Sequence, residues 1–468
     1  MKNASLKKIF LIGLLVQVIA ISSFSAIRLP NIIGSHMVIQ QNAKFTIWGW
    51  GGPSEKITIK ASWDTTNYSC ITNNGAKWST EINTPAAGGP YTISIKGDNS
   101  NIVLEDVMIG EVWVCSGQSN MEWSGDQGLQ QTKDEAPNAN INSIRLFYVP
   151  KATSDYPQEN IDGKWVVCNS EDMSHFSAIG YFFGKNLTAN LKAPIGLINS
   201  NWGGTPAETW TPSAVVENNE TIKKGAAMLG SFPWWSTKTA VTYNAMIAPL
   251  TNFNIAGVIW YQGESNTGSY FAYEALFTGM IDAWRAAWKK NFPFYFMQIA
   301  PYTYGNLPIG ALLREAQTKS ALHPKTDMVV VSDLVPDTTN IHPTLKKEVA
   351  ARLANLVLNK TYGIGNQIVN SPIYKSHTVE KDKIVISFEN AANGLVCKDK
   401  ELSQFQIAGE DKIFVTAQAK IVGNTIVVSS KNIKNPIAVR YSFNNTAIGN
   451  VFNKEGLPLN LFRTDNWE

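Results

Sequence analysis

Charged residues make up only 16% of the chain, and neither sign prevails: 40 lysines and arginines face 37 aspartates and glutamates. The first 26 residues hold three of the lysines and no acid, so without them 37 basic residues balance 37 acidic ones. A neutral chain offers no basic stripe for nucleic acid or an anionic membrane surface, and neither is expected as a partner. Cysteine is scarce. Cys70, Cys115, Cys168 and Cys397 lie far apart and none has metal-site spacing, so no disulfide is assigned. There are five histidines and no His/Asp cluster, so neither a metal nor any other cofactor is expected. Long apolar runs are also missing, apart from Ile9 to Ile21. Lys2, Lys7 and Lys8 precede that run, Ser23-Phe24-Ser25-Ala26 follows it, and Gly13 and Gln17 interrupt it. It reads as an export signal over residues 1–26, too short for a membrane span. The mature protein is expected in the periplasm or outside the cell, with no stable membrane insertion.

What the chain does have is core-forming material. Hydrophobic residues make up 44%, which excludes disorder, and 468 residues suggest two or three domains. Fifteen tryptophans and fifteen tyrosines suit cores and also supply flat faces for stacking on sugar rings. Residues 27–105 alternate apolar and polar in short runs, as in Phe45–Trp50, Lys56–Lys60, Lys77–Ile82 and Tyr91–Lys96, which predicts a small β-sandwich. From 106 to 364 the texture changes. Buried-type strands (Val107–Cys115, Ser143–Tyr148, Ile195–Asn199, Val258–Tyr261, Phe294–Ile299, Met328–Ser332) alternate with helical periodicity at Ser177–Leu191, Tyr270–Lys290 and Leu345–Leu358. That pattern predicts an α/β domain with a parallel sheet. Residues 365–468 return to β alternation and form a second β-rich unit.

Four polar, glycine-bearing segments each follow one of the predicted parallel strands: 115–121, 201–208, 262–266 and 333–343. In an open parallel sheet the loops at the carboxyl ends of the strands meet in one crevice. Pooled there are Ser119, Gly203-Gly204, Gln262, Glu264, Asn266, Asp333, Asp337 and His342, the inventory of acyl transfer by a serine hydrolase. Serine needs a base to take its proton. His36 and His377 belong to the β units, His175 precedes a helix, and His323 lies ahead of a strand, at the wrong end of the sheet. His342 is the histidine left. Candidate donors to an oxyanion are the Ser119 N–H, an N–H of Gly203 or Gly204, and an amide of Gln262 or Asn266, with Gln118 and Glu264 beside the substrate.

The segments Cys115–Met121 (CSGQSNM), Asn201–Trp210 (NWGGTPAETW), Trp260–Asn266 (WYQGESN), Leu313–Gln317 (LREAQ) and Asn340–Pro343 (NIHP) resemble, in order and spacing, the sialate O-acetylesterase family of the SGNH hydrolase superfamily. Gly34–Gln40 and Lys454–Pro458 in the flanking units resemble its bacterial exported members. The resemblance implies a three-layer α/β/α domain flanked by β-rich units, and metal-free removal of O-acetyl groups from sugars, sialic acids foremost. It also implies Ser119 as nucleophile and His342 as base. Acetylated xylan or pectin are alternative substrates, and a non-catalytic glycan-binding protein is the alternative of a different class. One position departs from the superfamily: three residues before the histidine, where many members carry Asp, stands Thr339. Asp337, Asp333 or Glu264 is then left to orient His342, or a backbone carbonyl does so in a dyad. Trp123, Trp202, Trp210, Trp234, Trp235 and Tyr261 are candidates for a sugar platform, and Arg314 is either a partner for a sialate carboxylate or a helix-surface residue.

Overall fold

A single strand carries the chain from its first β unit into its centre. In the computed structural model, which describes residues 26–467, Asn101–Gly117 runs unbroken for 17 residues. Its first half pairs antiparallel with Gly88–Lys96 in the N-terminal unit. Its second half lies between Ile195–Asn201 and Gly257–Tyr261, parallel to both. The boundary expected at 105/106 therefore falls inside a strand, with no linker. Residues 1–25 of the expected export signal lie outside the described residues.

The central sheet runs in the order Thr326–Val329, Phe294–Met297, Gly257–Tyr261, Asn101–Gly117, Ile195–Asn201, Ile141–Tyr148, Trp165–Cys168. All neighbours are parallel except the last pair. Its inner strands are rich in Val and Ile and wholly buried, as a sheet covered on both faces requires. Side chains alternate between those faces. Val112, Val114, Val258 and Trp260 pack with Tyr273, Phe277 and Trp284 of the helix Tyr270–Ala287. Trp113, Cys115, Ile259 and Tyr261 pack on the other face with Ile179, Phe183 and Leu187 of the helix Ala178–Leu191 and Val349 and Leu353 of the helix Lys346–Lys360. The result is a three-layer α/β/α domain. Ser177 caps the first of those two helices by accepting from Gly180 N. The helix Ile309–Ser320, to which the sequence-based reading gave no bounds, carries the stretch 313–317.

In the N-terminal unit, Lys44–Trp50 pairs with Lys77–Asn83 and packs over the sheet containing Asn67–Ile71, Lys56–Ala61 and Gly88–Lys96, around Phe45, Ile47, Ile57, Ile82 and Ile93. The C-terminal unit has two four-stranded sheets around Ile384, Ile386, Ile426 and Tyr441. Its last strand, Phe462–Arg463, returns to the body, where the Arg463 guanidinium meets Glu315 at 2.8 and 2.9 Å. Among the described residues no helix is long and apolar enough to cross a membrane.

The long strand ends at Gly117, with φ +131°. A Cβ there would lie 2.2 Å from the Tyr261 carbonyl oxygen, so only glycine passes the neighbouring strand this closely. Gly117→Ala is expected to lower the unfolding free energy by about 2–4 kcal/mol, from the left-handed backbone and the overpacking together, as read by chemical denaturation.

Candidate active site

Ser119 sits two residues past that strand, as the first residue of a single helical turn, Ser119–Glu122. His342 lies on the loop between the 3-10 turn Ser332–Leu334 and the helix that opens at Lys346. The fold joins them: Ser119 Oγ and His342 Nε2 are 2.8 Å apart. They lie at the floor of an open cleft of about 480 Å³, lined also by Gln118, Glu122, Trp123, Lys151, Trp202, Gly203, Gly204, Trp234 and Glu264. The four post-strand loops thus meet at one sheet edge, although they contribute unequally.

The His342 loop is pinned from several sides. Asn340 Oδ1 accepts the His342 N–H at 2.9 Å. Asn120 Nδ2 donates to the Ile341 carbonyl at 3.0 Å and to Glu264 Oε1 at 2.6 Å, while Lys346 Nζ donates to Asn120 Oδ1 at 2.6 Å. Asn120 therefore ties the serine turn, the histidine loop and the 262–266 loop together. Trp123 stacks on the His342 ring, with centroids 4.3 Å apart and planes 24° from parallel.

Among the described residues no carboxylate bonds to His342. Asp337, the first candidate to orient it, accepts from Thr339 N at 2.8 Å and Thr339 Oγ1 at 2.7 Å, closing a local turn at the surface. Those two bonds hold its carboxyl below the ordinary range. Asp333 forms a bidentate pair with Arg352 at 2.8 and 2.9 Å. Glu264 is engaged by Asn120, and burial raises its pKa. Burial, and then the Lys346 charge, pushes His342 down to about 4. Burial likewise brings Lys346 down to about 7, against the pull of Glu264.

The candidate oxyanion donors divide in the same way. The side-chain amides of Gln262 and Asn266 are consumed internally. Gln262 Nε2 donates to Asn266 Oδ1 at 2.7 Å, and Asn266 Nδ2 to Glu208 Oε2 at 2.8 Å, with both residues fully buried behind the cleft. They brace the 201–208 loop, where Asn266 Oδ1 accepts the Ala207 N–H at 2.9 Å. Gln118 Oε1 accepts from Gly263 N at 3.2 Å and holds the Gln262–Asn266 loop against the serine turn. The Gly203 N–H is taken by the Glu122 carboxylate. The backbone N–H groups of Ser119 and Gly204 have no partner among the described residues. Gly204 adopts φ +80°, and a Cβ there would strike the Trp235 ring at 2.4 Å.

Of the aromatic candidates, Trp210 and Tyr261 are fully buried core, Trp123 covers His342, and Trp202, Trp234 and Trp235 line the cleft. Arg314 neither faces the cleft nor lies on the surface. It is 1% exposed, with Nε donating to Gly310 O at 3.3 Å and Nη2 to Asn444 O. Reading the sequence missed Glu122, Lys151, Asn120 and Lys346. The last had a signal: Lys346 falls in register with Val349, Ala350, Leu353 and Val357, a lysine on the core-facing stripe of its helix.

A family model described as carbohydrate esterase, sialic acid-specific acetylesterase matches residues 109–359. Sialate O-acetylesterase of Homo sapiens is 30% identical over 388 residues, covering 74% of this chain and 73% of its own length. That of Mus musculus is 28% identical over 428 residues, covering 78% and 79%. Among solved structures, a carbohydrate acetylesterase from Xanthomonas citri superposes with a TM-score of 0.86 at 33% identity, covering 94% of this chain and 100% of that one. Fold and likeness together define an enzyme of the carbohydrate esterase class. Within that class, the chain belongs to the sialate O-acetylesterase family.

A histidine base works only when unprotonated, so its pKa sets the acid limb of the rate. The limb of kcat/KM for 4-nitrophenyl acetate is expected well below the ordinary histidine value of about 6.5, with the plateau reached by about pH 6. Lys346→Met removes a cation that opposes the imidazolium and is expected to move the limb to higher pH. Matched pH–rate profiles of the two proteins check both.

Proposed function

We propose that the protein is a serine acetylesterase of the SGNH superfamily, exported to the periplasm or beyond, that removes O-acetyl groups from sugars through a Ser119–His342 dyad. The observation that carries this reading is the 2.8 Å contact between Ser119 Oγ and His342 Nε2 at the floor of the cleft. With its proton on Nδ1, the neutral imidazole presents Nε2 as acceptor. As Oγ attacks the acetyl carbonyl, the hydroxyl proton passes to Nε2 and the carbonyl oxygen becomes an oxyanion. The N–H groups of Ser119 and Gly204, which have no partner among the described residues, are the donors for it. Collapse expels the sugar oxygen, which takes the proton from Nε2, and leaves an acetyl ester on Ser119. Water then attacks that ester, giving its proton to Nε2. Acetate leaves, and the proton returns to Oγ. No metal enters any step.

In place of an acid, the dyad relies on the Trp123 ring and on the Asn120–Ile341 tie to hold the imidazole in line with Ser119. An orienting carboxylate typically contributes several orders of magnitude when its loss leaves the wrong tautomer, so a carboxylate in that part would show a clear signature on removal. Asp337→Asn is expected to change kcat less than about threefold, whereas Ser119→Ala and His342→Ala each reduce acetate release by about 10³-fold or more. Acetate assays on 4-nitrophenyl acetate and on an acetylated sugar check these. A Ser119→Ala protein with full activity would end the reading.

A further inference from the structure

The charge of the cleft bears on which acetylated sugar it accepts. Among the described residues, one full cation lines it: Lys151. Lys151 is already paired with Glu122 at 2.5 Å, and the same Glu122 carboxylate holds the Gly203 N–H. The other lining acid is Glu264. Arg314, the arginine with the geometry for a carboxylate, is buried against the backbone of Gly310 and Asn444. A sialic acid brings an ionised carboxylate that must lose water on entering the cleft. Recognition of such a group calls for a free cation, typically a bidentate arginine. This cleft offers a cation already neutralised by Glu122 and, in Glu264, a further acid where a free cation would be needed.

Its apolar provision is different. Trp234 stands at the cleft with 75% of its surface exposed, a large aromatic side chain that the fold itself does not use. Its neighbour Trp235 is committed: it stacks on Phe232 with centroids 5.0 Å apart and roofs Gly204. Trp202, partly buried, lines the same cleft. An exposed tryptophan beside a catalytic pair is suited to the C–H face of a pyranose ring, a contact that needs no charge.

We propose that the cleft selects acetyl esters of uncharged sugars over those of sialic acids, with Trp234 as the stacking platform. This rests on the esterase reading above and adds its substrate class. The test compares acetate release from 9-O-acetyl-N-acetylneuraminic acid with release from the methyl ester of the same compound, which differs in carrying no charge. kcat/KM is expected to be at least about tenfold higher for the methyl ester, and an acetylated xylo-oligosaccharide is expected to match or exceed it. Equal or higher kcat/KM for the free acid would overturn the proposal. For Trp234→Ala, the ratio of kcat/KM on the neutral sugar ester to that on 4-nitrophenyl acetate is expected to fall about tenfold through KM; an unchanged ratio would remove Trp234 from the proposal. Cleavage of 4-nitrophenyl acetate with neither sugar ester hydrolysed overturns the substrate class alone. A wild-type protein inert to 4-nitrophenyl acetate overturns the esterase reading with it.

Discussion

The strand Asn101–Gly117 is shared by two sheets, and the placement of Ser119 depends on it. Its first half is locked by antiparallel pairing in the N-terminal unit and its second by parallel neighbours on both sides. A strand held along 17 residues cannot slip in register without moving every side chain to the opposite face. The serine turn that follows is therefore delivered to a fixed point at the sheet edge. The N-terminal β unit accordingly has a part in the site although it lends no side chain to the cleft.

From that point the site is assembled by polar ties across loops distant in sequence. Asn120 reaches Glu264 and the Ile341 carbonyl, and Lys346 reaches Asn120. These groups are buried, where hydrogen bonds are strong and an unpaired partner is costly, so the network resists drift of one loop against another. It also sets the electrostatics. Burial, and after it the Lys346 charge, opposes protonation of the His342 ring. The task often given to an aspartate, holding the imidazole, passes here to stacking and to backbone anchoring. Neither adds negative charge that would favour the imidazolium, in keeping with the depressed pKa.

Much of this was legible in the chain. The alternation of buried-type strands with helical periodicity identified the parallel sheet. Strand-end logic then placed Ser119 and His342 at one edge, because loops after parallel strands converge wherever the sheet is open. Gln118 and Glu264, expected beside the substrate, line the same cleft as Ser119. Less legible was the direction in which each polar group in those loops points. Gln262 and Asn266 lie in the same motif as Glu264, yet their amides turn away from the cleft to brace Glu208 and Ala207. Asp337 lies five residues before His342, yet it serves its own turn through Thr339. Arg314 was read as either a ligand contact or a surface residue and is instead fully buried against the C-terminal unit.

The division follows from the range of the forces involved. Periodicity and the scarcity of histidine are local or compositional facts, and the sequence by itself determined from them the layered fold and the two loops on which Ser119 and His342 meet. Which carboxylate, amide or tryptophan remains free depends on partners more than a hundred residues away, such as Asn444 for Arg314 or Ile341 for Asn120. Competition among buried polar groups for a limited set of donors and acceptors is resolved only when those partners are brought together. Only the tertiary structure decided that, among the described residues, no carboxylate bonds to His342, that Lys151 pairs with Glu122 and that Trp234 is exposed at the cleft.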